Sequence, residues 1–256
     1  MFDYRIGIIL LTSPRQDDFA GIKLAQTEYM IHTLNNNKLK FRRHPVVQFE
    51  EDSIGLVIVG DWNVRIFTPE WITTNISKSE NIQIEFSINN MDAPIRFTHN
   101  DIRIIPSNSR FTFSPQKYDT ITFSRIENMV KNLCESLYHT PITAYGINFK
   151  ILDTDPNPLL LDSFNLTDDS RFSDAGFEIK SRKIIRVLQI EDGILNFKIS
   201  NEDGQVHYHF NFHYTVTGAE IVTQSIIGKF EKCKKIFEQI ITNIYRSHIE
   251  DENWEG

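Results

Sequence analysis

The chain has very few cysteines, and this rarity excludes several classes of protein. It has two, Cys134 and Cys233, among 256 residues, whereas small secreted domains that lack a large core are dense in disulfides. No Cys-x-x-Cys pair and no Cys/His spacing of a structural zinc site is present. Both cysteines lie in the apolar stripes of predicted helices. We therefore expect two free thiols that pack as small apolar side chains in a reducing compartment.

Long apolar runs are absent as well. No stretch approaches the roughly 20 apolar residues of a transmembrane helix, so no membrane partner is predicted. The segment 1–14 does not resemble a signal peptide, because it carries an early Asp3, lacks a basic region and has too short an apolar run. These absences predict a cytoplasmic protein.

Basic residues are outnumbered by acidic ones, 27 against 34, which gives a formal net charge of −7. Binding of nucleic acid over a whole surface needs clustered Lys and Arg, so nucleic acid is not the favoured partner. The segment KLKFRRH is a local exception, since basic residues around an aromatic ring can contact a nucleic-acid backbone. Such a run is more often a solvated loop. Its candidate binding residues are Lys38, Lys40, Arg42 and Arg43.

The residues that are plentiful predict a sheet-rich α+β protein. The chain is 40% hydrophobic and holds 19 phenylalanines, enough for a sizeable core. A strand at 4–11 and a helix at 18–35 precede short β-branched segments in which apolar and polar side chains alternate. Short connections between these segments predict an antiparallel meander. The predicted strands are 46–50, 54–60, 63–67, 82–88, a hairpin at 94–105, and 110–114.

A long amphipathic helix is predicted at about 119–138. Ser124 and Glu127 have the S-x-x-E spacing of a capping box, in which the two side chains satisfy free N–H groups at a helix N-terminus. Thr140 and Pro141 end the helix. Its apolar stripe, at helical spacing, consists of Ile126, Met129, Val130, Leu133, Cys134 and Leu137.

The second half of the chain repeats this plan. The strand pattern at 142–152 is followed by a polar connection, further strands at 177–190, 194–200 and 205–217, and a last helix at about 224–248. One twisted sheet with both helices on one face fits this order, and so do two similar modules. We expect two modules, 1–141 and 142–256, each ending in a long helix packed on its antiparallel sheet.

The stretch HYHFNFHY places three histidines on one side of a predicted strand and aromatic residues on the other. A hairpin turn at 201–204 would place His207 opposite Lys198 and His209 opposite Asn196. Two imidazoles at positions i and i+2 of a strand can share a metal ion, and the candidate ligands are His207, His209 and His213. The nearby lysine repels a cation, however, and the polar side of a half-buried strand is the simpler interpretation. No metal or other cofactor is predicted.

The polar connection at 153–176 is rich in aspartate, and Glu178-Ile179-Lys180 follows it. An upstream aspartate and an E-x-K strand are the layout of many metal-dependent nucleases, where carboxylates hold Mg²⁺ and the lysine helps to activate water. Chance supplies so short a pattern readily, and no crossover helix is predicted after it. A solvated loop with aspartates at turns and caps is the simpler interpretation. The candidate catalytic residues are Asp168, Asp169, Glu178 and Lys180.

The absence of a P-loop and of G-x-G-x-x-G, G-x-S-x-G and H-E-x-x-H patterns favours a non-enzymatic protein that binds another protein. Accessory subunits, immunity- or antitoxin-like inhibitors and components of bacterial defence systems are of this kind. One alternative is an apolar-ligand pocket under the C-terminal helix, lined by Phe197, Tyr208, Phe210 and Phe212. Another is a metal-dependent nuclease or hydrolase that uses the 162–180 region. The oligomeric state is left open.

Overall fold

The computed structural model describes residues 46–50, 53–79, 82–85 and 94–249. The chain divides between Arg42 and Arg43 into two compact units, and the described residues belong to the second. The predicted strand at 4–11, the predicted helix at 18–35 and the basic residues Lys38, Lys40, Arg42 and Arg43 lie outside the described residues.

The described strands form one 11-stranded sheet that is antiparallel except at one short pair, β1 with β11. They are β1 (Val46–Phe49), β2 (Gly55–Gly60), β3 (Gln83–Glu85), β4 (Arg96–His99), β5 (Ile102–Pro106), β6 (Arg110–Pro115), β7 (Ile142–Asp153), β8 (Ser181–Ile190), β9 (Gly193–Glu202), β10 (Gln205–Thr215) and β11 (His248–Ile249). Their order across the sheet is β3-β4-β5-β6-β2-β7-β10-β9-β8, and β1 pairs with β7 and β11. Together with the helices, this sheet confirms the predicted antiparallel α+β fold class.

The described helices are mostly short. They are α1 (Pro69–Ile72), α2 (Thr120–Ser136), α3 (Pro158–Asp162), α4 (Asp169–Asp174), α5 (Ala219–Ser225) and α6 (Lys229–Gln239). A π-helical turn extends α1 over Thr73–Ser77, and another extends α6 over Ile240–Ile244. In the described part of the chain, no helix is long and apolar enough to cross a membrane.

The core lies between the sheet and the helices α2, α5 and α6. Every second residue of β10 from Val206 to Tyr214 is buried on this side, so the predicted aromatic face is confirmed. Phe237 of α6 stacks on Phe149 of β7 with ring centroids 4.9 Å apart, and it meets Phe210 of β10 at 5.0 Å. These contacts attach the C-terminal helix to the centre of the sheet.

The sheet continues across the predicted module boundary at residue 141. Val57 of β2 lies opposite Gly146 of β7, so strands from the two predicted halves are neighbours. The helices also meet, since Phe123 of α2 stacks on Phe230 of α6 with centroids 4.7 Å apart. The structure therefore does not confirm a division into two similar modules.

The capping box predicted for α2 is wrong. Asp119 is the N-cap, and its Oδ1 accepts a hydrogen bond from the Thr122 N–H at 2.6 Å. The Lys117 ammonium lies 2.7 Å from this carboxylate and lowers the pKa of Asp119 to about 2. Glu127, two turns into the helix, is buried and caps another helix.

The C-terminal helix predicted at about 224–248 is interrupted between α5 and α6. Gly228 has a φ of 79°, a left-handed conformation that glycine adopts without strain and that ends a helix. The N–H groups of Gly228 and Phe230 donate to the two carboxylate oxygens of Glu127 at 2.8 and 2.7 Å. A side chain that is distant in sequence thus satisfies the N-terminus of α6.

Other predicted elements differ locally. The segment 63–67 holds a 3₁₀ turn at Val64–Ile66 instead of a strand, because the Asn63 side chain accepts from the Arg65 N–H and caps the turn. Strand β8 begins at Ser181, after the predicted start at 177. The polar connection that precedes it contains α3 and α4.

Candidate functional site

The side chains of β7, β9 and β10 that alternate with the buried ones form a polar surface, which we call the open face. Its central residues are half-buried or exposed, apart from the buried Gly146 and Ser200. The main members of the open face are Asn148, Lys150, Leu152, Asn196, Lys198, Ser200, His207, His209, Asn211 and His213.

The register of these three strands places His209 directly between two lysines. His209 of β10 lies opposite Lys150 of β7 on one side and opposite Lys198 of β9 on the other. Adjacent strands are about 4.8 Å apart, so the three residues form a continuous row across the sheet. Glu50 adjoins Lys150, since the Glu50 N–H donates to the Lys150 carbonyl oxygen at 3.3 Å, but among the described residues neither lysine forms an ion pair.

The predicted register of the β9–β10 hairpin is wrong by two residues. His207 lies opposite Ser200 and His209 opposite Lys198. The turn contains only Asp203 and Gly204, both with positive φ, at 52° and 82°, which is typical of a tight two-residue hairpin.

The neighbours of His209 determine its charge. Burial lowers its pKa, and the positive charges of Lys150 and Lys198 lower it further, while Glu50 acts in the opposite direction. The imidazole is therefore neutral at pH 7, and it can accept a hydrogen bond on one ring nitrogen and donate from the other. The positive charge of the row then comes from the two lysines.

A shallow depression of about 270 Å³ surrounds this row. On its margin, His207 Nδ1 lies 2.8 Å from Glu50 Oε1, so this carboxylate has a partner of its own. Ser200 and Glu202 complete the polar lining. The depression thus joins two ammonium groups, two carboxylates, two imidazoles and a hydroxyl on one accessible surface.

Next to the cationic row runs a row of three asparagines. Asn196 Nδ2 donates to Asn211 Oδ1 at 3.1 Å, and Asn211 Nδ2 donates to Asn148 Oδ1 at 2.7 Å. Each bond links neighbouring strands, which fixes the orientation of the amide groups. This part of the open face is therefore an ordered polar surface before any partner binds.

The predicted metal ligands share a face without forming a metal centre. His207 is bound to Glu50, His209 lies between lysines, and His213 Nε2 contacts Thr215 Oγ1 at 3.4 Å. Within the described ranges, no group of three or more His, Cys, Asp or Glu side chains could hold a metal ion. Two lysines beside His209 also repel a cation.

Of the predicted catalytic residues, Asp169, Glu178 and Lys180 form two different ion pairs, while Asp168 forms no side-chain capping bond. Asp169 Oδ2 lies 2.8 Å from Arg182 Nη2. Glu178 and Lys180 pair with each other at 2.7 Å, and both side chains are 75% exposed. Asp168 is the N-cap residue of α4. The exposed Glu178–Lys180 pair is typical of a solvated connection, and Asp169 is bound to a different partner.

The region beneath the C-terminal helix is occupied by contacting aromatic rings. Phe210 and Phe149 contact Phe237, while Tyr208 meets Tyr245 at 5.2 Å between ring centroids. The C-terminal helix covers the ring faces that an apolar ligand would contact. The two thiols are equally enclosed, and burial raises the pKa of Cys134 and of Cys233 to about 12, which makes both poor nucleophiles.

Sequence reasoning missed Lys150 and placed Lys198 opposite the wrong histidine. A two-residue turn at Asp203-Gly204 would have placed Lys198 opposite His209. Lys150 lies on β7, about 60 residues before its partner strand β10, and no local pattern relates their register.

No protein-family model matches this sequence, and no curated protein matches it significantly.

Proposed function

We propose that this chain is a non-enzymatic binding protein that holds another protein against the open face of its sheet. The observation that carries the proposal is the row of Lys150, His209 and Lys198 across three adjacent strands. Acidic groups of the partner lie between the two lysines, and the neutral ring of His209 donates a hydrogen bond to them. This role is that of an accessory subunit or an inhibitor.

The charges of the row favour an acidic partner surface. Half-buried ammonium groups attract a carboxylate more strongly than solvated ones, because the surrounding protein screens them less than water does. A carboxylate near His209 would also oppose the effect of the lysines on its pKa. Complementary charge of this kind mainly increases the association rate and the specificity of a complex.

The shape and composition of the open face favour a protein over nucleic acid. The asparagine row offers amide donors and acceptors at fixed positions, as the polar part of a protein interface does. A phosphate backbone needs a longer line of cations, whereas this row has two lysines in a chain whose net charge is −7. The partner is therefore expected to be a folded or extended polypeptide with clustered Asp or Glu.

The proposal is tested with the charge-reversal pair Lys150→Glu and Lys198→Glu. The wild-type protein and this double variant are used to capture partners from extracts of the native host, and the captured protein is then purified and titrated against both. We expect the dissociation constant to rise at least about tenfold for the double variant, and the wild-type complex to weaken as salt increases.

A matched control reverses two lysines in the helix layer, Lys131 of α2 and Lys235 of α6. Their side chains are 44% and 72% exposed and form i,i+4 pairs with glutamates, so Lys131→Glu with Lys235→Glu changes the net charge equally at another surface. If this control weakens the complex as much as the open-face pair, or if the pair has no effect, the proposal is wrong. Capture that nuclease treatment abolishes would identify nucleic acid as the partner and would also contradict it.

A further inference from the structure

We infer that the free edge of β8 binds an extended segment of the partner protein as an additional strand, with one large apolar side chain of that segment in a cleft beside α4. The inference rests on the proposed function, since its occupant is part of a partner protein. It adds the mode of binding and the chemistry of the bound segment.

Strand β8 is the last described strand on one side of the sheet. It pairs with β9 over all ten residues from Ser181 to Ile190 without a register shift, and no strand of the described part pairs with its other edge. A long, regular edge presents a row of backbone N–H and C=O groups that can accept another strand. By contrast, β3 at the opposite end has three residues.

Several apolar side chains of β8 are exposed, whereas an edge strand without a partner would be expected to carry polar residues there. Ile185 and Val187 are each 66% exposed, and Leu188 is 37% exposed. Ile185 lies opposite Lys198 and Val187 opposite Asn196, so these two apolar side chains adjoin the open face, whereas Leu188 points to the other side of the sheet. Exposed apolar side chains beside a polar surface are typical of an interaction site.

The charged side chains of β8 determine which kind of polypeptide segment could pair with its edge. The strand contains Arg182, Lys183 and Arg186 and no acidic residue. Arg182 is paired with Asp169, which leaves Lys183 and Arg186 to act on the occupant. Lys183 lies on the open face and Arg186 on the opposite face. A second copy of β8 would bring like charges together, whereas a strand with acidic residues on both of its faces would complement this edge.

A cleft of about 410 Å³ opens beside the start of β8. Ile184 of β8 lines one wall, and residues around α4 line the other, including Phe164, Leu166 and Phe172. Specificity in strand addition commonly comes from pockets that accept alternate side chains of the added strand. The apolar walls and the position of this cleft suit such a side chain.

A buried donor at the cleft also lacks an acceptor. Arg182 lines the cleft, and its Nε is buried without a hydrogen-bond partner among the described residues. Native proteins rarely leave such donors unsatisfied. A carbonyl or carboxylate oxygen of the bound segment would provide the acceptor.

The test uses a display library of random dodecapeptides selected on the full-length protein. We expect recovered peptides to combine one large apolar residue with several acidic residues and to bind at least about tenfold more weakly to Phe172→Ala and to Arg186→Glu. Both replaced side chains are exposed, and circular dichroism checks that the variants are folded. As controls, Ile121→Ala truncates an exposed apolar side chain and Arg125→Glu reverses an exposed charge on α2, and both should bind as the wild type does.

Hydrogen exchange provides the signature of strand addition. The bound peptide should slow exchange of backbone amides within 181–190, while the rest of the sheet changes little. Failure to recover any peptide, equal binding to all four variants, or unchanged exchange in β8 would overturn the inference. So would a dimer of the free protein that protects the same amides. If the partner still depends on Lys150 and Lys198 in those cases, the proposed function stands while the inference fails.

Discussion

Replacing Glu127 with glutamine should destabilise the helix layer, because both oxygens of this buried carboxylate accept backbone hydrogen bonds from the start of α6. Glu127 is 4% exposed, and it lies 2.8 Å from the Gly228 N and 2.7 Å from the Phe230 N. The glutamine side chain has one oxygen. Its amide nitrogen would take the place of the other oxygen and would face an N–H group as a second donor.

The size of the effect follows from these two contacts. One buried N–H loses its acceptor, which costs about 1–3 kcal/mol. The lost negative charge also interacts favourably with the N-terminus of α6, an effect worth about 0.3–2 kcal/mol. Burial acts in the other direction, since it raises the pKa of Glu127 despite the backbone N–H groups of 228–230, and glutamine avoids that desolvation. We expect Glu127→Gln to lower the free energy of unfolding by about 1–3 kcal/mol.

Urea unfolding at pH 7, followed by circular dichroism, measures this change. The matched control is Glu135→Gln, the same substitution on the same helix. Glu135 is exposed and forms only an i,i+4 pair with Lys131 at 3.8 Å, so its replacement should change the free energy by less than about 0.5 kcal/mol. Equal effects at the two positions would refute the reasoning, because the loss would then reflect helix propensity or net charge.

Two further substitutions test other contacts of the fold. Asp153 is fully buried, its Oδ2 has no partner among the described residues, and burial raises its pKa. The stability that the protonated carboxyl contributes is therefore fully present below the unfolded pKa of about 3.9. It is lost as the pH rises through the folded pKa. Asp153→Asn does not ionise, so its stability relative to wild type should increase from pH 4 to pH 8 in urea titrations, and a difference that is independent of pH would contradict this sign. Gly193→Ala would place a Cβ 2.7 Å from the His213 carbonyl oxygen and from the Tyr214 ring, which should cost about 1–3 kcal/mol. Gly55→Ala, whose Cβ would lie 3.5 Å from its nearest neighbour, is the control, and equal losses of thermal stability in the two variants would exclude the steric explanation.

Sequence periodicity identified the faces of the regular elements, because a core requires apolar side chains at the period of the backbone. Alternation in β10 correctly assigned Tyr208 and Phe210 to the core, and the stripe of α2 correctly assigned Leu133. These patterns are local, and packing on the other side of the sheet does not alter them. They therefore predicted the fold class and which face of each strand is buried.

Contacts between distant residues were not predictable in the same way. Ser124 and Glu127 matched a capping box, yet the carboxylate bonds to Gly228 and Phe230, about a hundred residues away. The spacing of two residues does not show which N–H groups lie nearby in the folded chain. The same limit explains why the break at Gly228 was missed, since the apolar stripe continues through it.

The candidate site shows how a register determines chemistry. A shift of two residues in one hairpin keeps every side chain on the same face, so the exposure of the histidines was predicted despite the wrong turn. The same shift changed which residue lies opposite Lys198. The pairing of β10 with β7 then placed Lys150 on the other side of His209, and this second lysine gives the row the symmetry on which the proposed function depends.

The cationic row is an arrangement that the free sheet would not need for stability. Lys150 and Lys198 lie two strands apart, about 10 Å between backbones, where half-buried like charges still repel each other. Their positive charges also add to the cost of protonating His209, which lowers its pKa. Neutral polar residues at both positions would continue the adjacent asparagine row without this repulsion. A partner carboxylate between the lysines would turn the repulsion into attraction, and this is the physical argument for a binding role of the open face.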